Sequence, residues 1–122
     1  MTYHRAFQTA NNLYLFLEFC DMGDLSSFIR KRHQRRSISA RSSQTHFLGE
    51  NEASYIVRDI VRGLGHLSQV CHIMHRDIKL DNILVKLKPG APSSIAPEDL
   101  PIDQFEFKLG DLGLAKNLNR DS

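Results

Sequence analysis

Four side chains suited to phosphoryl transfer stand in two short segments of the sequence. The segment HRDIKLDN carries Asp77, Lys79 and Asn82, and the later segment GDLG carries Asp111. Phosphoryl transfer from a nucleotide to a hydroxyl requires a group that orients the attacking oxygen, cations on the phosphates, and oxygen ligands for those cations. Asp77 can accept the hydrogen bond of a substrate hydroxyl, and Lys79 can neutralise the transferring phosphate. Asn82 can give a neutral oxygen ligand to Mg²⁺, and Asp111 an anionic one.

These segments resemble two motifs of eukaryotic protein kinases. HRDIKLDN is similar to their catalytic loop, and GDLG is similar to their metal-binding motif, with Leu112 where Phe is usual. The resemblance implies an α+β, protein-kinase-like two-lobe fold that uses ATP and Mg²⁺. It assigns catalytic roles to Asp77 and Lys79 and metal ligation to Asn82 and Asp111. Lys two residues after Asp77 resembles the serine/threonine pattern, so the implied partner is a protein with a Ser or Thr acceptor. We expect Leu112 to be an apolar core residue.

A third segment, LYLFLEFCDMGDL, resembles the fifth kinase strand and the hinge between the two lobes. The resemblance makes Leu17 the gatekeeper of the nucleotide pocket. It implies that the Glu18 carbonyl and the backbone of Cys20 bind the adenine edge and that Asp24 reaches the ribose hydroxyls. Leu84 would form the apolar floor under the base.

The resemblance covers nearly all of residues 1–122, but it matches only the middle of a kinase domain. It assigns residues 1–23 to the small-lobe strands and the hinge, and residues 24–122 to the first half of the helical large lobe. The glycine-rich loop, the strand Lys with its helix Glu, and the activation segment have no match in this sequence. We therefore expect little or no kinase activity from this chain alone.

Two functions follow from this partial match. In the first, the chain is a fragment of a serine/threonine protein kinase, most like the autophagy-initiating kinases. In the second, it is a non-catalytic, pseudokinase-like remnant that acts as a binding module and is only marginally stable, because the rest of the large-lobe core is missing.

Hydrophobic patterning predicts the elements that come before the catalytic segments. Residues 1–7 and 13–19 read as a β-hairpin with a turn at TANN. Asp24 is a good N-cap for a short helix whose inward residues are Leu25, Phe28 and Ile29. The polar, Ser-rich residues 33–49 predict a loop.

The strongest periodic signal predicts an amphipathic helix over residues 51–69. Its predicted inward face consists of Ala53, Ile56, Val57, Ile60, Val61, Leu64 and Leu67. Strands are predicted over 83–87 and 105–109, on either side of a Pro-rich excursion that cannot be one regular element.

Composition limits the partners and the compartment. A net charge of +2 over 122 residues lacks the basic excess of a dedicated nucleic-acid binder, so no nucleic-acid partner is expected. The basic run RKRHQRR reads as a solvated helix end and loop, with a nucleic-acid or acidic-lipid patch as the less favoured alternative. No apolar run has the length of a transmembrane segment, the start lacks a signal-peptide pattern, and the two cysteines suggest free thiols. We therefore expect a cytoplasmic protein.

Overall fold

A computed structural model describes residues 1–39 and 48–119 of the chain. They form two α-helices, six strands and three short 3₁₀ turns, and the turns are Leu80–Asn82, Pro97–Asp99 and Ile102–Gln104. The helices and strands are β1 (Tyr3–Gln8), β2 (Leu13–Leu17), α1 (Leu25–Ser39), α2 (Glu50–Gln69), β3 (Ile73–Met74), β4 (Ile83–Leu87), β5 (Phe105–Leu109) and β6 (Lys116–Asn117).

Strands β1 and β2 form the predicted antiparallel hairpin. Their register runs from Tyr3 opposite Leu17 to Gln8 opposite Leu13. Two hydrogen bonds close the turn: the Thr9 N–H donates to the Asn12 carbonyl (2.8 Å), and the Asn12 N–H donates to the Thr9 hydroxyl (3.1 Å). Every residue of both strands is exposed. The hairpin therefore adds no buried residue to the core.

Helix α1 begins as predicted and is longer than predicted. The Asp24 carboxylate accepts a hydrogen bond from the Ser27 N–H (2.8 Å), which satisfies one free N–H of the first turn. The helix continues to Ser39, so the prediction that a loop starts at residue 33 is wrong. Residues 40–47 of that predicted loop lie outside the described residues.

Ion pairs explain why the helix continues through a basic sequence. Arg32 and Arg36 both contact the Glu52 carboxylate, and Arg35 contacts Asp99. Arg32 is only 2% exposed, so the interpretation of the basic run as a solvated face is wrong at this position. These three arginines are therefore paired with carboxylates on other elements.

Helix α2 confirms the predicted helix. The Glu52 carboxylate accepts a hydrogen bond from the Gly49 N–H (3.1 Å), which caps the first turn. Ile56 and Ile60 are buried, whereas Val57 and Val61 are each 58% exposed. The prediction that these two valines face inward is wrong for the described residues, because the neighbouring elements cover only one side of the helix.

The core lies where α1 and α2 pack on the antiparallel β4–β5 pair. The rings of Phe28 and Phe105 meet edge to face with their centroids 4.8 Å apart, and both side chains are fully buried. The other buried apolar residues are Leu25, Ile56, Ile60, Ile83, Val85, Leu100 and Phe107. The segments HRDIKLDN and GDLG therefore lie next to this core, just before β4 and just after β5.

The excursion between β4 and β5 contains the turns Pro97–Asp99 and Ile102–Gln104 but no longer regular element, as predicted. The Lys88 N–H donates to the Gln104 carbonyl (2.9 Å) and closes its base. Leu100 is 1% exposed and packs in the core. Within residues 1–39 and 48–119, neither helix has the length and apolar character needed to cross a membrane.

Candidate active site

The segment that carries Asp77 is held by a buried histidine. His75 is 2% exposed, and its Nε2 lies 2.8 Å from the Gly110 carbonyl. The Asp77 N–H donates to Nδ1 of the same ring (3.2 Å). A neutral ring protonated on Nε2 satisfies both contacts. His75 therefore has a packing role, and it connects the loop to the GDLG segment.

Asn82 orients the Asp77 carboxylate. The Asn82 amide nitrogen donates to the backbone carbonyl of Asp77 (2.9 Å) and to its Oδ2 (2.8 Å). The Lys79 ammonium lies 3.9 Å from the other carboxylate oxygen, Oδ1. Because both amide hydrogens of Asn82 are used, its Oδ1 is the atom available to a cation. The 3₁₀ turn Leu80–Asn82 brings these three side chains together.

Asp111 is brought beside Asn82 by the backbone. The Gly110 N–H donates to the Asn82 carbonyl (2.8 Å), and the Asp111 carboxylate is exposed and accepts a hydrogen bond from the Gly113 N–H (3.0 Å). One carboxylate and one amide oxygen suit Mg²⁺, which commonly takes its remaining ligands from water and substrate phosphates. In the described part of the chain, no three His, Cys, Asp or Glu side chains cluster as a metal site. A metal here would therefore depend on nucleotide oxygens as well.

The hinge segment, residues 18–23, pairs with β4. The Met22 N–H donates to the Val85 carbonyl (3.0 Å), and the Val85 N–H donates to the Gly23 carbonyl (2.8 Å). The Asp21 carboxylate accepts a hydrogen bond from the Leu87 N–H (3.0 Å). The end of the hinge segment thus pairs with the edge of β4, although β4 and β5 alone form the sheet.

The predicted nucleotide-binding residues surround this junction. Asp24 forms an isolated antiparallel bridge with Leu84, and Leu17 lines a cavity of about 910 Å³ between the β1–β2 hairpin, α2 and β5. Cys20 is buried, and this burial raises the pKa of its thiol. The carboxylate that was assigned to the ribose, that of Asp24, is already engaged in capping α1. The roles in nucleotide binding that were assigned to Leu17, Glu18, Cys20, Asp24 and Leu84 stay predictions.

Leu112 does not fill the core. Its side chain is 49% exposed and lines the same cavity of about 910 Å³. The prediction of an apolar core residue is therefore wrong for the described residues, because the space beside Leu112 is open rather than packed.

No sequence pattern indicated the role of the Glu18 side chain. The resemblance assigned only its backbone carbonyl, yet the carboxylate binds Lys86 (3.1 Å) and Lys108 (2.7 Å) and is 7% exposed. The hydrogen bond from Lys108, with those from Thr2 and Lys86, outweighs burial and lowers the pKa of Glu18 to about 2. The partners lie 68 and 90 residues away, so no local spacing could have indicated them.

Gly110 leaves little room between Leu84 and Asn82. A Cβ at this position would lie 3.2 Å from Leu84 Cδ1 and 3.3 Å from its Cγ. We expect Gly110→Ala to lower the free energy of unfolding by about 1 kcal/mol through overpacking. Urea unfolding of Gly65→Ala is the control, since a Cβ there meets nothing within 4 Å. The helical Gly65 site should gain about 1 kcal/mol, and equal effects at both glycines would contradict the crowding.

The sequence of the chain is similar to those of known protein kinases. The model of the protein kinase domain matches residues 1–122. Serine/threonine-protein kinase PLK4 of Drosophila grimshawi is 33% identical over 117 residues, which cover 96% of this chain and 12% of the relative. ATG1a of Arabidopsis thaliana is 28% identical (98% and 15%), and atg1 of Schizosaccharomyces pombe is 31% identical (90% and 14%). Both are also serine/threonine-protein kinases.

The chain therefore spans only about 12 to 15% of the length of these relatives. The small β-sheets, the helices and the two motif segments agree with a fragment of the α+β kinase fold. The chain belongs to the protein kinase domain family.

Proposed function

We propose that this chain is the part of a serine/threonine protein kinase that orients the acceptor hydroxyl and holds the metal of Mg-ATP. Asp77 would orient a Ser or Thr hydroxyl of a protein substrate, and Lys79 would neutralise charge on the transferring γ-phosphate. Asn82 and Asp111 would hold Mg²⁺, which when bound neutralises the negative charge of the phosphates. Residues 1–23 would belong to the small lobe and residues 24–122 to the large lobe.

One observation carries the proposal: the Asn82 amide donates to Asp77 (2.8 Å) while the Asn82 carbonyl accepts from Gly110 (2.8 Å). These bonds join the Asp77 carboxylate, the Asn82 amide and Gly110, the residue before Asp111, in one unit, which supports the proposed roles of Asp77, Asn82 and Asp111. Leu17, Glu18, Cys20, Asp24 and Leu84 lie around the hinge segment, where the adenosine part of ATP would bind. Such a placement supports a shared site for nucleotide and acceptor.

A second candidate function is a non-catalytic binding module related to the pseudokinases. The exposed apolar side chains of the hairpin favour it, since Tyr3 and Leu15 are 58% and 57% exposed. Large exposed apolar surface often marks an interaction site. Nucleotide binding distinguishes the two functions.

A role in the initiation of autophagy and a cytoplasmic location are further proposals. The similarity to two ATG1 kinases supports the first, although PLK4 of Drosophila grimshawi is slightly more identical to this chain. Asp77, Lys79, Asn82 and Asp111 are all present, and this favours a working kinase for the whole protein. The fragment alone is proposed to be inactive.

The test is a thermal unfolding experiment on the chain with ATP, with Mg²⁺ and with both. Ligand that binds the folded state stabilises it by about 2.7 kcal/mol at a hundredfold excess over Kd. We expect Mg-ATP to raise Tm and Asp111→Asn to weaken Mg-ATP binding about tenfold, since the anionic metal ligand is lost. Binding of ATP without Mg²⁺ should change little in this variant.

Asp103→Asn is the matched control because Asp103 is exposed on the excursion, away from the catalytic segments. It should retain the full response to Mg-ATP. No rise of Tm with Mg-ATP in the unmodified chain would favour the binding module, and an equal loss in both variants would argue against Asp111 as a metal ligand.

A further inference from the structure

We propose that the Glu18 side chain is a positioning residue that fixes the hinge segment onto the β4–β5 pair and so sets the width of the nucleotide site. This inference rests on the proposed function for its effect on nucleotide, but its structural part can be tested without any ligand. The Glu18 backbone and side chain thus have separate tasks. The backbone would face the adenine, and the carboxylate holds the backbone in place.

The contacts of the carboxylate span three parts of the chain. Oε1 accepts hydrogen bonds from the Thr2 N–H (2.6 Å) and from the Lys108 ammonium (2.7 Å), and Oε2 accepts one from Lys86 (3.1 Å). The Glu18 N–H also donates to the Thr2 carbonyl (2.8 Å). The start of β1, the hinge segment and both strands of the β4–β5 pair therefore meet at one side chain.

Burial strengthens these ion pairs. The Glu18 side chain is 7% exposed and that of Lys108 is 20% exposed, so solvent screens the pair less than a surface ion pair. Glu106 lies 3.4 Å from Lys108 but is 40% exposed. Without Glu18, the ammonium groups of Lys86 and Lys108 would lose the buried charge that compensates both of them.

Hydrogen bonds between residues 21–23 and β4 hold the end of the hinge segment, so Glu18 accounts for the connection of its start and of the hairpin. Among the residues that the structure describes, every hydrogen bond or ion pair between residues 1–19 and the β4–β5 pair goes through Glu18. Both strands of the hairpin are otherwise exposed, and the cavity of about 910 Å³ separates part of it from β5. Apolar packing therefore gives the hairpin little support, and its position depends on the ion pairs.

The register of β4 and β5 places the lysine partners of Glu18 beside the proposed nucleotide site. Lys108 stands directly opposite Leu84, the predicted floor under the base. Lys86 is two residues from Leu84 on the same face of β4. A carboxylate held by both lysines therefore fixes the start of the hinge segment, at Glu18, relative to the Leu84 side chain.

The first measurement is amide hydrogen exchange of the whole chain and of Glu18→Gln. We expect exchange at residues 17–20 to become about tenfold faster, because the neutral amide loses two charge-assisted contacts, while the amides of Ile56 and Ile60 in α2 keep their protection. Glu50→Gln is the matched control, since Glu50 is exposed and lies outside the hinge. Unchanged exchange at residues 17–20 in Glu18→Gln would overturn the proposal.

The second measurement separates positioning from general stability. In Glu18→Gln the Kd for Mg-ATP should rise about tenfold, and Lys108→Gln should have most of the same effect alone but little additional effect in the double variant. Additive effects of the two substitutions would contradict a shared contact. If Glu18→Gln unfolds, the α2 amides lose protection as well, and Lys86→Met replaces it, with an expected increase of about threefold in exchange at residues 17–20.

Failure of the proposed function and failure of the positioning role of Glu18 give different results. Faster hinge exchange in Glu18→Gln with no binding of Mg-ATP by the unmodified chain would defeat the proposed function and support the structural role of Glu18. Binding of Mg-ATP with the same Kd in both proteins would support the proposed function and overturn the positioning role.

Discussion

Replacing Arg32 with methionine is expected to lower the free energy of unfolding by about 3 kcal/mol, because a buried hydrogen-bonded charge would be removed while its partners remain. Arg32 Nη1 donates to the carbonyls of Leu100 (2.7 Å) and Glu98 (3.2 Å), and Nη2 donates to Glu52 (2.8 Å). Methionine keeps much of the apolar volume over the Phe28 ring, whose centroid lies 5.4 Å from the guanidinium carbon. The loss therefore reports the polar contacts. Urea unfolding with an unchanged m value measures it.

Arg30→Met provides the control on the same helix, since Arg30 is exposed. A surface substitution of this kind should change stability by no more than about 0.5 kcal/mol. An Arg32→Met protein as stable as Arg30→Met would mean that the network contributes nothing, even though it is buried.

Acidification from about pH 5 to about pH 2 is expected to remove on the order of 4 kcal/mol of stability through two carboxylates. Hydrogen bonds from Lys108, Thr2 and Lys86 lower the pKa of Glu18 from 4.5 to about 2 despite its burial. Burial raises the pKa of Glu52, but the hydrogen bonds from Arg36 and Arg32 outweigh it and lower the pKa from 4.5 to about 2.

The sign follows from proton uptake. A carboxyl whose pKa is lower in the folded protein binds its proton more weakly there than in the unfolded chain, so its stabilisation is complete above about pH 4.5 and disappears toward about pH 2. Each group contributes on the order of 2 kcal/mol. Urea unfolding at a series of pH values between 2 and 6 measures the slope.

The double variant Glu18→Gln/Glu52→Gln is the control for the acid effect. It should be less stable near pH 6, but its stability should change much less between pH 5 and pH 2. A slope as steep as that of the unmodified chain would assign the acid sensitivity to other groups.

Local patterns were sufficient for most elements of the fold. The aromatic and aliphatic segments with the TANN turn, the Asp24 cap and the periodicity of α2 each depend on neighbours a few residues apart, and each predicted the observed element. The end of α1 could not be obtained in this way. It depends on Glu52 and Asp99, which lie beyond the helix in sequence. Arg32 nevertheless follows Leu25 and Phe28 at helical spacing, and that spacing would have indicated its burial.

In the candidate site, too, local motifs predicted some residues, whereas contacts between distant segments were not predicted. Asp77, Lys79, Asn82 and Asp111 were named from two motifs, and the structure brings them together, while their roles stay predictions. The Glu18 carboxylate could not be predicted, because its partners stand on strands that only tertiary structure brings near. Periodicity also could not predict that Val57 is exposed. It gives the direction of a side chain but not whether a neighbouring element covers it.

The excursion between β4 and β5 differs in its two halves, and this bears on how the chain could be engineered. Residues 97–104 are held by Arg32, by Arg35 and by the burial of Leu100. Residues 92–95, by contrast, are all exposed. A peptide epitope or a fluorescent label placed between Ser93 and Ser94 would stand in solvent, because lengthening a surface loop costs little entropy and disturbs no core contact. The same addition at residue 99 would separate Leu100 from Arg32 and open the core.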